Sequence, residues 1–188
     1  MPHLGIDPVV IGAEIVTDLQ TIVSRNVTPG ELTVISVGKF HSGDVANVIP
    51  AAAELSATIK STSAKTRALV EKRIRTLVKN IVKAHSAIYE LDYLTGHPSV
   101  MNAPELNTLV KQSAAKVLGD DKVFQAPMMT ASEDFARYKA VAPICFSILG
   151  VGEGPANHNP GFNIDVSALE NGVKTQVQTL LDFLKKDI

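Results

Sequence analysis

The chain has 188 residues, 45% of them hydrophobic, which is ample for a folded core and excludes a disordered segment. Its 18 basic and 19 acidic residues nearly cancel, so it offers no electrostatic footprint for nucleic acid or an anionic membrane surface. No apolar run approaches the ~18 residues of a membrane span, and no basic-then-apolar leader is present. The one cysteine, Cys145, excludes an internal disulfide and suits a reducing compartment, and its place in an apolar run gives it the plain reading of a small buried hydrophobe. A soluble cytoplasmic protein is the expectation.

Asp7-Pro8 opens the first predicted helix, with a capping side chain followed by a proline whose missing N–H costs nothing at that position. Ile11, Ile15, Leu19 and Ile22 form one apolar stripe, and the helix should end before Thr28-Pro29-Gly30. Two strands follow. The first is Leu32 to Val37, ending at Gly38; the second alternates Leu55, Ala57 and Ile59 against Glu54, Ser56, Thr58 and Lys60. Between them lies a polar loop with His41, Asp44 and Asn47, a natural place to hold a ligand.

Ser61-Thr62-Ser63 supplies caps for a second helix that buries Val70, Ile74, Leu77, Val78 and Ile81. Its many lysines and arginines carry no interleaved aromatics, so they read as a solvated face. Ile88 to Leu94 reads as a third strand. Helix, strand, strand, helix, strand is a ferredoxin-like α+β order in which the first strand is missing, falling where the chain begins.

Thr95-Gly96-His97-Pro98 breaks the composition and divides the chain into 1–95 and 96–188. Ala103-Pro104-Glu105 then opens a helix closed by Gly119. Val123 to Ala126 is a short strand, and Ile144 to Leu149 is a run of the kind buried on both faces of a parallel sheet. A last helix, from Val166-Ser167 to about Leu184, lines up Leu169, Val173, Val177, Leu180, Leu181 and Leu184. This half reads as α/β.

Two places in the second half are candidates for chemistry. Ser132-Glu133-Asp134 sets two acids beside a serine, which equally fits an ordinary helix start. His158 lies in a polar, glycine-rich loop after the 144–149 run, where it reads as a ligand or as a surface residue. The sequence has no histidine-glutamate pair at helical spacing, no cysteine cluster, no phosphate loop and no nucleophile elbow. His3, His85 and His97 take ordinary structural readings.

In order along the chain, Gly5-Ile6-Asp7-Pro8-Val9, Ile22-Val23-Ser24-Arg25, Asn47-Val48-Ile49-Pro50, Ser132-Glu133-Asp134-Phe135 and His158-Asn159-Pro160 resemble the M20 metallopeptidase and amidohydrolase family. The likeness is to the branch of hippurate, N-acetyl-amino-acid, N-acetyl-diaminopimelate and auxin-conjugate hydrolases. It implies a ferredoxin-like lid, also the dimerisation domain, over 1–95, and the C-terminal part of a zinc-peptidase-like α/β catalytic domain over 96–188. The general base and most metal ligands of the family lie in an N-terminal half that this sequence does not contain.

The resemblance assigns His158 to the last metal histidine and Asn47 to the substrate-binding asparagine of the lid. Glu133 and Asp134 match the acidic motif beside the site, with Glu133 the one expected to face the pocket. Lys60 stands where the family usually has an arginine for the substrate carboxylate; lysine keeps the charge but loses the two-pronged geometry. His41 is kept for a pocket role because it shares the loop with Asn47. The implied cofactor is a divalent metal, zinc or manganese, two per intact site. The implied partners are a small N-acyl amino acid substrate and a second copy of the chain through the lid, with no nucleic acid and no membrane. A catalytic zinc site takes three or more protein ligands, so one histidine predicts a chain inactive on its own. The alternative is a non-catalytic dimerising module.

Overall fold

The computed structural model describes residues 1–185 and divides the chain into two compact units. The first comprises Met1–Ser99 with Thr130–Ser132; the second takes in Val100–Met129 and the residues from Glu133 onward. No described helix is long and apolar enough to cross a membrane.

In the first unit, helix α1 (Pro8–Asn26) begins as its sequence dictates: the Asp7 carboxylate accepts from the Val9 N–H at 2.9 Å and Pro8 takes the first turn. Strands β1 (Thr33–His41) and β2 (Glu54–Ser61) pair antiparallel, with Ile35 opposite Ile59 and Ser36 opposite Thr58. Gly38 does not stop β1. It falls at a register shift between Val37 and Lys39, so the strand bulges there and continues to His41.

Helix α2 (Ala64–Ala84) is capped by the Ser63 hydroxyl, which accepts from the Thr66 N–H at 3.2 Å. It ends with Ser86 in the left-handed region at φ 56°, while the Ala87 N–H reaches Val82 O and the Ser86 N–H reaches Lys83 O. These two bonds make the helix end a Schellman motif built on a non-glycine residue. The core lies where α1 and α2 meet the sheet. Ile11, Ile15, Leu19 and Ile22 face Val70, Ile74, Val78, Ile81 and Val82, with Ile35 beneath and Ile22 and Val70 fully buried. Gly12 belongs to this contact, since a methyl there would come within 2.7 Å of the Phe40 ring.

The run Ile88 to Leu94 does not form the expected third strand. Ala87, Leu91 and Tyr93 still lean on the core while Ile88 is almost fully exposed. The side-chain alternation of a strand is therefore kept without the ladder, because no described strand lies beside it to pair with.

In the second unit, helices α3 (Pro104–Leu118) and α4 (Ala168–Leu184) pack together, and Gly119 at φ 91° closes α3. Neither Val123–Ala126 nor Ile144–Leu149 forms a strand among the described residues. Only Ile144 of the second run is buried; Phe146, Ile148 and Leu149 are exposed, so the expectation of burial on both faces is corrected. Cys145 is half-buried, and that burial pushes its thiol pKa up, as for an inert core cysteine. The last helix forms as predicted, but its stripe of Leu169, Val173, Val177, Leu180, Leu181 and Leu184 faces outward, each about half exposed. Its polar side, carrying Gln178, Thr179 and Asp182, is the one that packs.

Candidate functional site

A groove of about 900 Å³ lies in the first unit between the N-terminal residues 1–9 and the loop 42–50. Local chemistry shapes both walls. The Ser42 hydroxyl donates to Ala52 O at 2.7 Å, Gly43 turns the chain at φ 68° against Pro50, and the Asp7 cap fixes the approach to α1. Leu4, Val9, Val45, Val48 and Ile49 give the groove apolar walls, while Asn47, Asp44 and Asp7 supply its polar groups. Asn47 is exposed there with both amide ends available to a ligand. The groove has no lysine or arginine in its lining.

The other candidates of this unit lie on the strands. His41 is the last residue of β1, opposite Glu54, so it belongs to the ladder and not to the loop in which the sequence reading placed it. Glu54 takes a 2.7 Å bond from the Lys39 ammonium, which with that charge holds its carboxyl below the usual range. Lys60 sits half-buried on β2 opposite Val34 and does not line the groove.

In the second unit, Glu133 caps the short 3-10 helix Asp134–Ala140, accepting from the Phe135 N–H at 3.1 Å. The carboxylate is thus committed to the helix start, and Asp134 is exposed in its first turn. His158 is exposed in a turned loop at φ 71°, a left-handed conformation uncommon for a residue with a side chain. The Asn159 N–H bonds Ala156 O, and the Asn159 side chain accepts from the Gly161 N–H. No group of three or more His, Cys, Asp or Glu side chains among the described residues is arranged to hold a metal ion. The donors among the described residues therefore do not fit a metal site of their own: His158 stands alone where a catalytic zinc site takes three or more ligands.

Sequence reasoning missed the most polar buried cluster. Asp182 on α4 accepts from the Ser113 hydroxyl at 2.7 Å and the Lys116 ammonium at 2.8 Å on α3, and from Gln178 at 3.0 Å. The bonds from Lys116 and Ser113 hold its carboxyl down at about 2. No local pattern connects residues 66 and 69 positions apart, so nothing in the sequence announced this cluster. It ties α3 to α4 and contributes no residue to the groove described above.

An N-acetyldiaminopimelate deacetylase of Geobacillus sp. (strain WCH70) is 36% identical over 172 residues, covering 92% of this chain and 46% of the relative. A Rhodococcus jostii protein that carries a glutamate–cysteine ligase name is 34% identical over 180 residues, but this chain spans only 23% of it, so that name describes a protein about four times longer. The crystal structure of the Bacillus subtilis YXEP protein, described as a dinuclear metal binding peptidase from the M20 family, superposes with a TM-score of 0.75 at 26% identity. It is matched over 97% of this chain and 47% of its own length. The chain thus spans less than half the length of these relatives. Residues 4–182 match the sequence model of peptidase family M20/M25/M40, and the chain belongs to that family.

Proposed function

We propose that this chain is the lid and C-terminal portion of a metal-dependent amidohydrolase acting on N-acyl amino acids or related amides. The observation that carries the reading is the match over nearly the whole chain to relatives named as deacetylases of N-acetylated amino acids. On this reading residues 1–95 are the lid, and the groove beside Asn47 receives the apolar part of the substrate. Lys60, and less directly His41 and Glu133, serve substrate binding in the assembled site. His158 contributes one ligand to a divalent metal, zinc or manganese, whose other ligands lie outside this sequence. Such a metal activates water and polarises the amide carbonyl, the two requirements of amide hydrolysis at neutral pH. Because the described residues gather too few ligands for a metal site, the isolated chain is expected to be inactive. Hydrolysis of N-acetyl and N-benzoyl amino acids with added zinc or manganese tests this, and robust turnover by the purified chain would overturn it.

The second reading is a non-catalytic module that dimerises through the first unit. It is favoured by the closed core of that unit, which needs no residue from elsewhere to bury α1 and α2. Mass in solution decides it: a dimer supports the role and a monomer removes it.

A further inference from the structure

We propose that the cleft between α2 and the run 88–94 binds a phosphate group, either free or carried by a small organic phosphomonoester. The cleft shares no lining residue with the groove beside Asn47 and does not depend on the function proposed above. Its volume is about 290 Å³, at the small end of the range for ligand sites, which limits the occupant to a small molecule. Arg75, Thr76 and Lys79 of α2 form one wall and Tyr89 and Leu91 the other. Among the described residues no carboxylate lines it. The sequence of α2 leaves positive charge uncompensated at this wall. Lys79 has Arg75 one turn before it and Lys83 one turn after it, so both neighbours at that spacing carry its own sign. Glu71, the one acid of the helix, is committed to Arg75, whose Nε and Nη2 donate to its Oε1 at 3.0 and 2.9 Å. Like charges a turn apart oppose the helix, and an anion seated between Arg75 and Lys79 removes that opposition.

Arg75 is held in place before any ligand arrives. Glu71 takes one edge of its guanidinium, and its Cζ lies 5.6 Å from the centroid of the Tyr93 ring, which itself leans on the core. The Nη1 side is left for a ligand, and a fixed planar guanidinium meets phosphate oxygens in two-pronged fashion. Lys79 adds a second full charge, and the Tyr89 phenol adds a third donor. The Thr76 hydroxyl is spent on Lys72 O at 2.8 Å and adds none. A phosphate group carries about −1.5 to −2 charge at neutral pH and has oxygens in three directions, so it can engage Arg75, Lys79 and Tyr89 together. A carboxylate offers one charge and two oxygens in one plane. Leu91 gives an apolar contact for the organic part of a phosphomonoester.

The test is titration of the purified chain with inorganic phosphate, phenyl phosphate and acetate at neutral pH and physiological ionic strength, read by amide chemical shifts and by thermal unfolding. Saturable shifts confined to the 75–79 turn of α2 and to 88–94 are expected with the phosphates, together with an unfolding temperature that rises as ligand is added. Lys79→Gln should bind about tenfold more weakly, the loss of one charge-assisted hydrogen bond. Its side chain is exposed, so without ligand the variant should unfold at the parent's temperature. Lys65→Gln is the control: that residue stands roughly 21 Å along the helix from Lys79, well beyond the screening length of about 8 Å, and should bind like the parent. Tighter binding of phenyl phosphate than of inorganic phosphate supports the site with a phosphomonoester as its ligand; equal binding supports it with the free anion. Absence of saturable shifts with either phosphate, or acetate bound as tightly as phosphate, would overturn the proposal. Equal weakening by Lys65→Gln and Lys79→Gln would also overturn it, by showing diffuse attraction to a basic helix in place of a site.

Discussion

Helices α1 and α4 are of similar length and both are amphipathic, yet they meet the rest of the molecule in opposite ways. α1 turns its isoleucines onto α2 and the sheet and leaves Glu14, Asp18 and Gln20 in water. α4 turns Gln178 and Asp182 inward and leaves its leucines and valines outside. The difference shows that an apolar stripe specifies a need for cover, while the identity of the cover depends on what else the chain supplies. In the first unit the sheet and α2 supply it; in the second, α3 buries Leu109, Ser113 and Ala114 and is tied to α4 by the bonds of Ser113 and Lys116 to Asp182. The cost is visible at Thr175, whose hydroxyl oxygen is buried without a partner, an arrangement that forfeits about 1–3 kcal/mol.

The sharpest way to break this contrast is to truncate one apolar residue in each helix. Ile22→Ala, at a fully buried position, should destabilise the first unit by roughly 2–5 kcal/mol in urea unfolding followed by circular dichroism. An acid titration separates the units next. Asp182 titrates at about 2 in the folded chain against an ordinary 3.8, so the stability it gives is present above pH 3.8 and is lost as the pH falls toward 2. Asp182→Asn should flatten that limb in the α3–α4 signal and leave the first unit's acid profile unchanged. Ser63→Ala, which removes the α2 cap, should cost about 1 kcal/mol in the same unfolding experiment. Smallest of all is Leu180→Ala on the open stripe of α4, expected within about 0.5 kcal/mol of the parent. A loss equal to that of Ile22→Ala would mean the stripe is covered in the isolated chain.

What could be read from the sequence was what is local. Asp7-Pro8, Ser63, Gly119 and the stripes of α1 and α2 carry their own stop, start and facing signals, and the helices follow them. The runs 88–94, 123–126 and 144–149 have strand composition, but a ladder needs a neighbour at hydrogen-bonding distance, and composition does not say whether one is there. Gly38 was legible as an interruption but not as a bulge, because only pairing with β2 distinguishes the two. At the candidate site, the turn residues around Asn47 announced an irregular polar loop, and the groove lies there. The walls contributed by Leu4 and Val9 were not announced, since apolar residues before and within a helix start carry no mark of facing a loop 40 positions on. His41 and Glu133 were both given pocket roles from neighbours in sequence, and their backbone positions, a strand end and a helix cap, are set by hydrogen bonds the sequence does not display.

Amide hydrogen exchange of the isolated chain at neutral pH measures the contrast between the two units directly. The account predicts that amides of α1 and α2 exchange only through global opening of the first unit, while those of α3 and α4 exchange orders of magnitude faster through local opening of a helix pair without a closed apolar core. Equal protection across all four helices would contradict it, because the second unit would then hold itself together without the cover that its outward stripe calls for.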